Sequence, residues 1–372
     1  MVKRVAQVVT QAELGGAQKH IVFLCEELVD RGYEVDVFAA PGKWLKEELD
    51  SKGINFIEVP SMVREISFAK DLKTLFSLYR IFKKRDYDVV HCHSSKAGLL
   101  ARIAARLAKT KKIVFTAHGF VFNEPMSELK RKIYIFLEKV GAVFGHEIIT
   151  VSKKDYDCAL EYKLANKNNL IYIPNAIEKV DKEDLREPEE LKNQLGIDDE
   201  FIIGTVANFY ETKGHVYLIE AVKRLYDEGY KFKTLFVGAG ILFDEMKELC
   251  RGYSGFNFLG SRKDNYDLIN IFDVFVLPSI KEGMPITVLE AMTLKKPVLC
   301  TKVGSLTDMI HDNINGFIVE SKSSEELYNR LKWILENKTV LNEVGENGYK
   351  YVEENFTMDK FMKDVLNVYN RG

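Results

Sequence analysis

Two glutamates, Glu282 and Glu290, lie with seven residues between them in VLPSIKEGMPITVLEAM, residues 276–292. A carboxylate repels phosphate but accepts paired hydroxyls well, which suits a sugar. A helix is expected to begin near Ile286, with Pro285 close to its start. Its first turn offers unpaired amides and a partial positive charge, which suits a phosphate. A diphosphate bearing a sugar at each end fits this set. The helix start would face the anionic part, with one glutamate on each sugar, and the backbone at Gly283, Met284, Pro285 and Ile286 would join Glu282 in holding one of those sugars. A lone pair of glutamates at this spacing more often marks an ordinary strand–loop–helix unit with charged surface residues.

Other residue types in the chain could join such a site. Lys213, in ANFYETKG just before a helix beginning at Gly214-His215, can place an ammonium on a phosphate at a helix start. Most lysines are simply solvated. Gly15 and Gly16 follow the first strand and run into a helix, so the backbone there can approach a ligand closely. The fingerprint G-x-G-x-x-G is absent at that point, which counts against a dinucleotide. His118 ends a strand, where open α/β sheets place ligands, although a single histidine is more often a satisfied core residue. His91 and His93 share one face of a strand and could hold zinc. No further ligand cluster lies near them in the sequence, so no metal and no cofactor are expected.

Strand and helix patterns alternate along the whole chain, which argues for parallel sheets covered by helices. Strands are expected over residues 5–9, 35–39, 55–59, 88–91, 113–116, 148–151 and 170–174. A second series covers 201–206, 234–237, 256–260, 272–277, 297–300 and 316–319. Helices are expected over 18–31, 69–84, 95–107 and 127–145, with a final one at 358–371. Residues 178–200 read as a charged connector with a short helix. In the helix 127–145, Ile133, Phe136, Leu137, Val140 and Phe144 form one apolar stripe. Lys130, Arg131, Lys132 and Lys139 lie on other faces beside Tyr134 and Ile135, a mixture that suits anionic headgroups or a plain solvated face.

The 372 residues suffice for two domains of ordinary size, and 46% hydrophobic with 29% charged residues is a globular composition. No apolar run is long enough to span a bilayer, and the start MVKRVAQVVTQ lacks a signal-peptide core. Five scattered cysteines, Cys25, Cys92, Cys158, Cys250 and Cys300, read as buried thiols of a reducing compartment. Charge is uneven: residues 1–175 carry 28 Lys and Arg against 21 Asp and Glu, whereas residues 176–372 carry 25 against 34. A basic half suggests an anionic neighbour. Nucleic acid is disfavoured, because the basic residues are spread over several helices without a reading motif.

PS before the glutamates, EG-x-P between them and LEAM after them resemble the nucleotide-sugar site of the retaining glycosyltransferases of family 4. Further pieces occur in the same order: the Gly15-Gly16 loop, HSSKAG at residues 93–98, the THG-like ending at His118 and IPN at 173–175. The resemblance implies an α/β chain of GT-B fold: two Rossmann-like, doubly wound parallel-sheet domains facing a cleft. Residues 1–175 with a helix 358–372 crossing back would bind acceptor, and 176–357 would bind the nucleotide sugar. It implies donor contacts from Gly15, Gly16, Lys213 and the Arg262 loop, with Glu282 on the hexose and Glu290 on the ribose. His118 would lie at the sugar–phosphate junction. Ser94, Ser95 and Lys96 resemble an acceptor-side loop of transferases acting on lipid-linked glycans. Asn208 stands where the family often has arginine and could offer only a hydrogen bond, so one cation is missing from the phosphate site, to be supplied by Arg262 or by none.

The expected reaction is metal-independent transfer of a hexose or N-acetylhexosamine, with retention. The donor would be a nucleoside-diphosphate sugar, by family habit a UDP-sugar. The acceptor would be a glycan or polyprenyl-diphosphate-linked glycan of cell-surface polysaccharide synthesis. The enzyme would be cytoplasmic, with an anionic membrane surface at the inner face of the plasma membrane as possible neighbour. Two alternatives stay open: other chemistry on the same fold, such as a nucleotide-sugar epimerase or a sugar-phosphate-utilising synthase, and a non-catalytic nucleotide-sugar-binding subunit.

Overall fold

A computed structural model describes residues 4–65, 67–180 and 182–371. Residues 1–3 of the expected N-terminal stretch, Asp181 of the connector and Gly372 of the final helix lie outside them. The chain divides into two compact units, residues 1–175 with 359–372, and residues 176–358.

The first unit is built on a seven-stranded sheet. Its strands are β1 (Arg4–Val8), β2 (Glu34–Ala39), β3 (Asn55–Glu58), β4 (Val89–His93), β5 (Lys112–Ala117), β6 (Glu147–Thr150) and β7 (Leu170–Tyr172). They run β3-β2-β1-β4-β5-β6-β7, every pair parallel. β4 and β5 are buried along their full length, as expected of central strands covered on both faces. The order reverses between β1 and β4. Chain leaving the carboxyl ends of these two strands therefore diverges and opens a crevice, where doubly wound sheets take ligands.

The second unit has six strands: β8 (Phe201–Val206), β9 (Phe232–Val237), β10 (Phe256–Gly260), β11 (Val274–Leu277), β12 (Val298–Thr301) and β13 (Phe317–Val319). They run β10-β9-β8-β11-β12-β13, again all parallel. Here the reversal falls between β8 and β11. β11 is shorter than its apolar run suggests. Ile271 and Phe272 close the helix Asn265–Asn270 by donating to Leu268 and Ile269. Phe272 is buried because it fills the space above Gly204, where an added Cβ would stand 2.1 Å from its ring.

The last helix, Met358–Asn370, belongs almost entirely to the first unit. Its Tyr369 hydroxyl contacts Gln7 Nε2 at 3.1 Å and His91 Nδ1 at 2.7 Å, and Lys112 Nζ donates to the Arg371 carbonyl at 2.9 Å. The last helix and the residue after it are thus bonded to three strands, β1, β4 and β5.

The helix Glu128–Phe144 departs from the sequence reading. Tyr134, Ile135 and Ala142 pack against the core, whereas Ile133 and Phe136 of the expected apolar stripe face outward. The side chains that pack are set by the buried ion pair between Arg102, on the helix Ser95–Ala108, and Glu138 at 3.0 Å. That pair turns the Glu138 face inward. Among the described residues the five cysteines are free thiols; four are buried and Cys158 is half-buried. No helix of the described residues is long and apolar enough to cross a membrane.

Candidate active site

In the second unit, the loops leaving β8 and β11 meet. The β8 loop ends in a single helical turn, Glu211–Lys213, followed by Gly214 with φ of 65°. A Cβ at Gly214 would stand 2.1 Å from the Pro278 carbonyl oxygen, so only glycine lets the two loops touch here. Thr212 O accepts the amides of Ile280 and Lys281. On the other side, the Gly283 carbonyl accepts the amide of Ser305 at 2.9 Å. Gly304 has φ of 56°, and a Cβ there would be 2.1 Å from the Glu282 carbonyl oxygen. The segment holding Glu282 is therefore strapped to both neighbouring loops.

Lys213 and Glu282 are brought together by this arrangement. Lys213 Nζ donates to Glu282 Oε1 at 2.6 Å, and the Ser279 hydroxyl donates to the same oxygen at 2.5 Å. Thr301, at the end of β12, donates to the Ser279 carbonyl and fixes that turn. The helix Ile286–Thr293 begins directly after Pro285, with no side-chain cap on its first turn. Glu290 is wholly buried in its second turn. Its charge and that of Glu178 add to burial in pushing the Tyr266 phenol up.

The remaining residues of the second-unit set are placed differently. Asn208 lies in the β8 loop, its carbonyl accepting from Tyr210. Arg262 follows β10, at the edge of the sheet, and makes a two-point ion pair with Asp264 at 2.8 and 2.6 Å. Arg262, with Arg186 beyond it, holds the Asp264 carboxyl down to about 2. The guanidinium suggested as a substitute cation is thus engaged by a carboxylate of its own loop.

In the first unit, Gly15 caps and Gly16 begins the helix Gly16–Asp30, two residues earlier than the sequence pattern indicates, again without a side-chain cap. Ser94 follows β4 with φ of 66°, a left-handed conformation uncommon for a residue with a side chain. It is held there by Thr10, whose hydroxyl lies 2.8 Å from Ser94 Oγ. Ser95 opens the following helix. Lys96 forms an ion pair with Asp71 at 2.6 Å and donates to the Glu65 carbonyl. Its ammonium is committed inside the unit.

His118 is half-buried just beyond β5 and does not stand alone. Its Nε2 lies 3.0 Å from His93 Nδ1, and His93 Nε2 lies 2.8 Å from Gln7 Oε1. Gln7 Nε2 reaches Tyr369, whose hydroxyl meets His91 Nδ1, and His91 Nε2 meets Thr116 Oγ1 at 2.7 Å. The directions follow from Gln7. Its oxygen only accepts, so His93 Nε2 carries a proton and His93 Nδ1 is a lone pair. His118 Nε2 must then donate, which leaves His118 Nδ1 as an acceptor. His20, on the helix after Gly15-Gly16, packs edge-on against His118 with ring centres 4.6 Å apart.

Burial is the main cause that lowers every one of these imidazoles. His20 falls to about 4, and His91, His93 and His118 fall well below the usual value, helped by one another's charge. In the second unit, burial and then Lys213 lower His215 to about 3. Such groups protonate sooner unfolded than folded. Stability is therefore at its full value above about pH 6.5, falls as the pH drops, and has been lost by about pH 4 for His20. The expected result is a clear fall in Tm between pH 7.5 and pH 5.5, with each buried imidazole contributing up to about 1.4 kcal/mol per pH unit. A flat Tm across that interval would contradict it.

Sequence reasoning singled out His118 and noticed His91 and His93. It missed His20, Gln7 and Tyr369, which reach the cluster only through the fold. It also missed Ser279 and Thr301, whose types are ordinary for a strand end.

Two family models match successive parts of the chain. "Glycosyltransferase Family 4" covers residues 14–179 and "Glycosyl transferases group 1" covers 187–351. The protein belongs to the family 4 glycosyltransferases, enzymes of GT-B fold. A galactosyltransferase of Escherichia coli, UDP-Gal:alpha-D-GlcNAc-diphosphoundecaprenol alpha-1,3-galactosyltransferase, is 28% identical over 98% of this chain and 96% of its own. The capsular polysaccharide biosynthesis glycosyltransferase CapM of Staphylococcus aureus is 26% identical over 93% and 92%. Among solved structures, Anabaena HepE in complex with UDP and glucose superposes with a TM-score of 0.85, at 18% identity and 98% coverage of both chains.

Proposed function

We propose that the protein transfers a hexose or N-acetylhexosamine, with retention, from a UDP-sugar to a hydroxyl of a polyprenyl-diphosphate-linked sugar. The observation that carries this reading is the Lys213–Glu282 pair at the strand-order reversal of the second sheet. An ammonium, a carboxylate and an uncapped helix start stand together there, the set that a sugar diphosphate requires. The donor and acceptor are taken from the name of the E. coli relative, which aligns over nearly the whole chain.

The leaving group is a diphosphate, so catalysis is chiefly stabilisation of charge on its departing oxygens. Lys213 and the amides at the start of the helix Ile286–Thr293 supply it. Glu282 accepts from hydroxyls of the transferred sugar, and Glu290 from those of the ribose. His118, with Nδ1 as an acceptor, takes a sugar hydroxyl. The acceptor oxygen attacks from the face the diphosphate leaves, and a donor phosphate oxygen takes its proton. With this charge handled by lysine and amides, the transfer needs no metal.

The test is incubation of UDP-galactose or UDP-N-acetylglucosamine with a polyprenyl-diphosphate-linked N-acetylglucosamine. The expected product is a disaccharide with the donor's anomeric configuration, formed equally well in the presence of a chelator. Isomerised donor without acceptor would instead mark an epimerase, and a trapped glycosyl-enzyme adduct would overturn the same-face attack.

A lipid-linked acceptor places the enzyme at a membrane. The helix Glu128–Phe144 offers a surface for it: Leu129, Phe136 and Val143 are 73%, 63% and 75% exposed. Lys130, Lys132 and Lys139 are exposed on the same helix. Apolar side chains entering the interface beside ammonium groups favour anionic lipid. Replacing Leu129 and Phe136 together by serine is expected to weaken binding to phosphatidylglycerol vesicles by about tenfold or more, since each buried side chain contributes about 1.5–3 kcal/mol. Unchanged co-sedimentation would remove this helix from the membrane surface.

A further inference from the structure

The cluster around His118 contains one nitrogen that the transfer reaction does not use. His20 is buried, and its Nε2 has no hydrogen-bond partner. Its Nδ1 lies 2.9 Å from Asn175 Oδ1, an oxygen that only accepts, so Nδ1 carries the proton and Nε2 presents a lone pair. His93 is fixed in the opposite sense by Gln7, which leaves His93 Nδ1 as a lone pair. One ring nitrogen each from His20, His93 and His118 lies within 4.8 Å of the other two.

We infer that His20, His93 and His118 form a three-imidazole site for a divalent transition-metal ion of the zinc class, and that filling it withdraws His118 from the sugar. Three imidazoles with a fourth position open is a familiar zinc arrangement, with Zn–N distances of about 2.0–2.1 Å. Two of the three ligands already have their outer nitrogen bonded to a side-chain amide oxygen, the device that orients metal-bound histidines. The third, His118, is the half-buried one and joins by a change of tautomer. Its proton moves from Nε2 to Nδ1 through solvent, so the ring stays neutral and no proton is released. His118 Nδ1 then becomes a donor, and the acceptor it offers a sugar hydroxyl is lost. No carboxylate belongs to the cluster among the described residues, which disfavours magnesium and calcium and favours zinc, cobalt or copper. The site reaches beyond the proposed transfer, which proceeds without it.

The experiment uses the tag-free, full-length protein, stripped with chelator and titrated with cobalt(II) chloride. The expected result is one cobalt per chain, with the visible d–d absorption of a low-coordinate nitrogen site, displaced by zinc and untouched by magnesium. His20→Phe keeps a ring in place against His118 and Phe361 but removes the ligand, and should abolish the bands. Asn175→Ala, which leaves all three ligands, should weaken cobalt binding about 10–100-fold. Absence of stoichiometric cobalt, or binding unaffected by either substitution, overturns the site. The absorption readout needs no turnover, so it is independent of the proposed activity. In transfer assays zinc should inhibit in proportion to occupancy, reversed by chelator; full activity of the zinc-loaded protein would overturn the competition for His118.

Discussion

Replacing Lys213 by alanine is expected to lower kcat by about 10²–10³, the usual loss when one donor to a developing oxyanion is removed. The expectation rests on how few cations the second unit can offer. Asn208 has no charge to give, and Arg262 is bound at two points to Asp264. Lys213 is the ammonium that the β8 loop carries to the strand-order reversal, held 2.6 Å from Glu282. In the proposed reaction that ion pair presets the site: the lysine would already be fixed where the phosphates arrive, and Glu282 would turn to sugar hydroxyls when they do. Two effects must be separated, because alanine also leaves Glu282, 7% exposed, without its cation. Lys213→Arg restores the charge and should recover stability in full. It should recover rate only in part, since the guanidinium is larger and planar. Initial rates over a range of donor concentrations distinguish a loss in kcat from a rise in KM. An unchanged kcat in folded Lys213→Ala would take the residue out of the reaction.

What could be read without coordinates follows a physical division. The strand–helix alternation was legible because buried parallel strands and amphipathic helices each leave a local period. The segment 276–292 was legible because a strand, a turn and a helix start follow one another along the chain. Its glutamate and the ammonium of Lys213 were each visible, but their bond was not, since it joins loops that only the sheet order brings together. Phe272 shows the limit of hydrophobic runs: burial is the same whether a phenylalanine extends a strand or fills the hollow above a glycine. The histidine cluster shows a second limit. His91 and His93 alternate on one strand, His118 follows another, and all three draw notice, whereas His20 lies inside a helix and Tyr369 is on the last helix. A polar network assembled from five elements leaves no period in the sequence.

Glu138 draws no notice in the sequence for a related reason, and it carries the second large effect. On a helix rich in lysine, a glutamate reads as one more solvated charge. Instead Glu138 is 5% exposed and Arg102 wholly buried. Arg102 also donates to the Gly98 carbonyl at 2.9 Å and lies over the Phe115 ring at 4.2 Å. Gly141 makes room for it; a Cβ there would stand 2.2 Å from the guanidinium. Glu138→Ala leaves that cation buried without its partner, which costs about 3–5 kcal/mol. The expected result is a large drop in the denaturant midpoint of the first unit, with the helix Glu128–Phe144 loosened from the helix Ser95–Ala108. Glu138→Gln keeps a hydrogen-bond acceptor and should lose less. The pair is itself incompletely bonded, with Arg102 Nη1 and Glu138 Oε1 lacking partners. Replacing both residues by apolar ones of similar volume, Arg102→Met with Glu138→Leu, should therefore recover most of the loss. If the double replacement is as unstable as Glu138→Ala, the cost arises from packing rather than from an orphaned charge, and the helix is held by its tyrosine and isoleucine contacts instead.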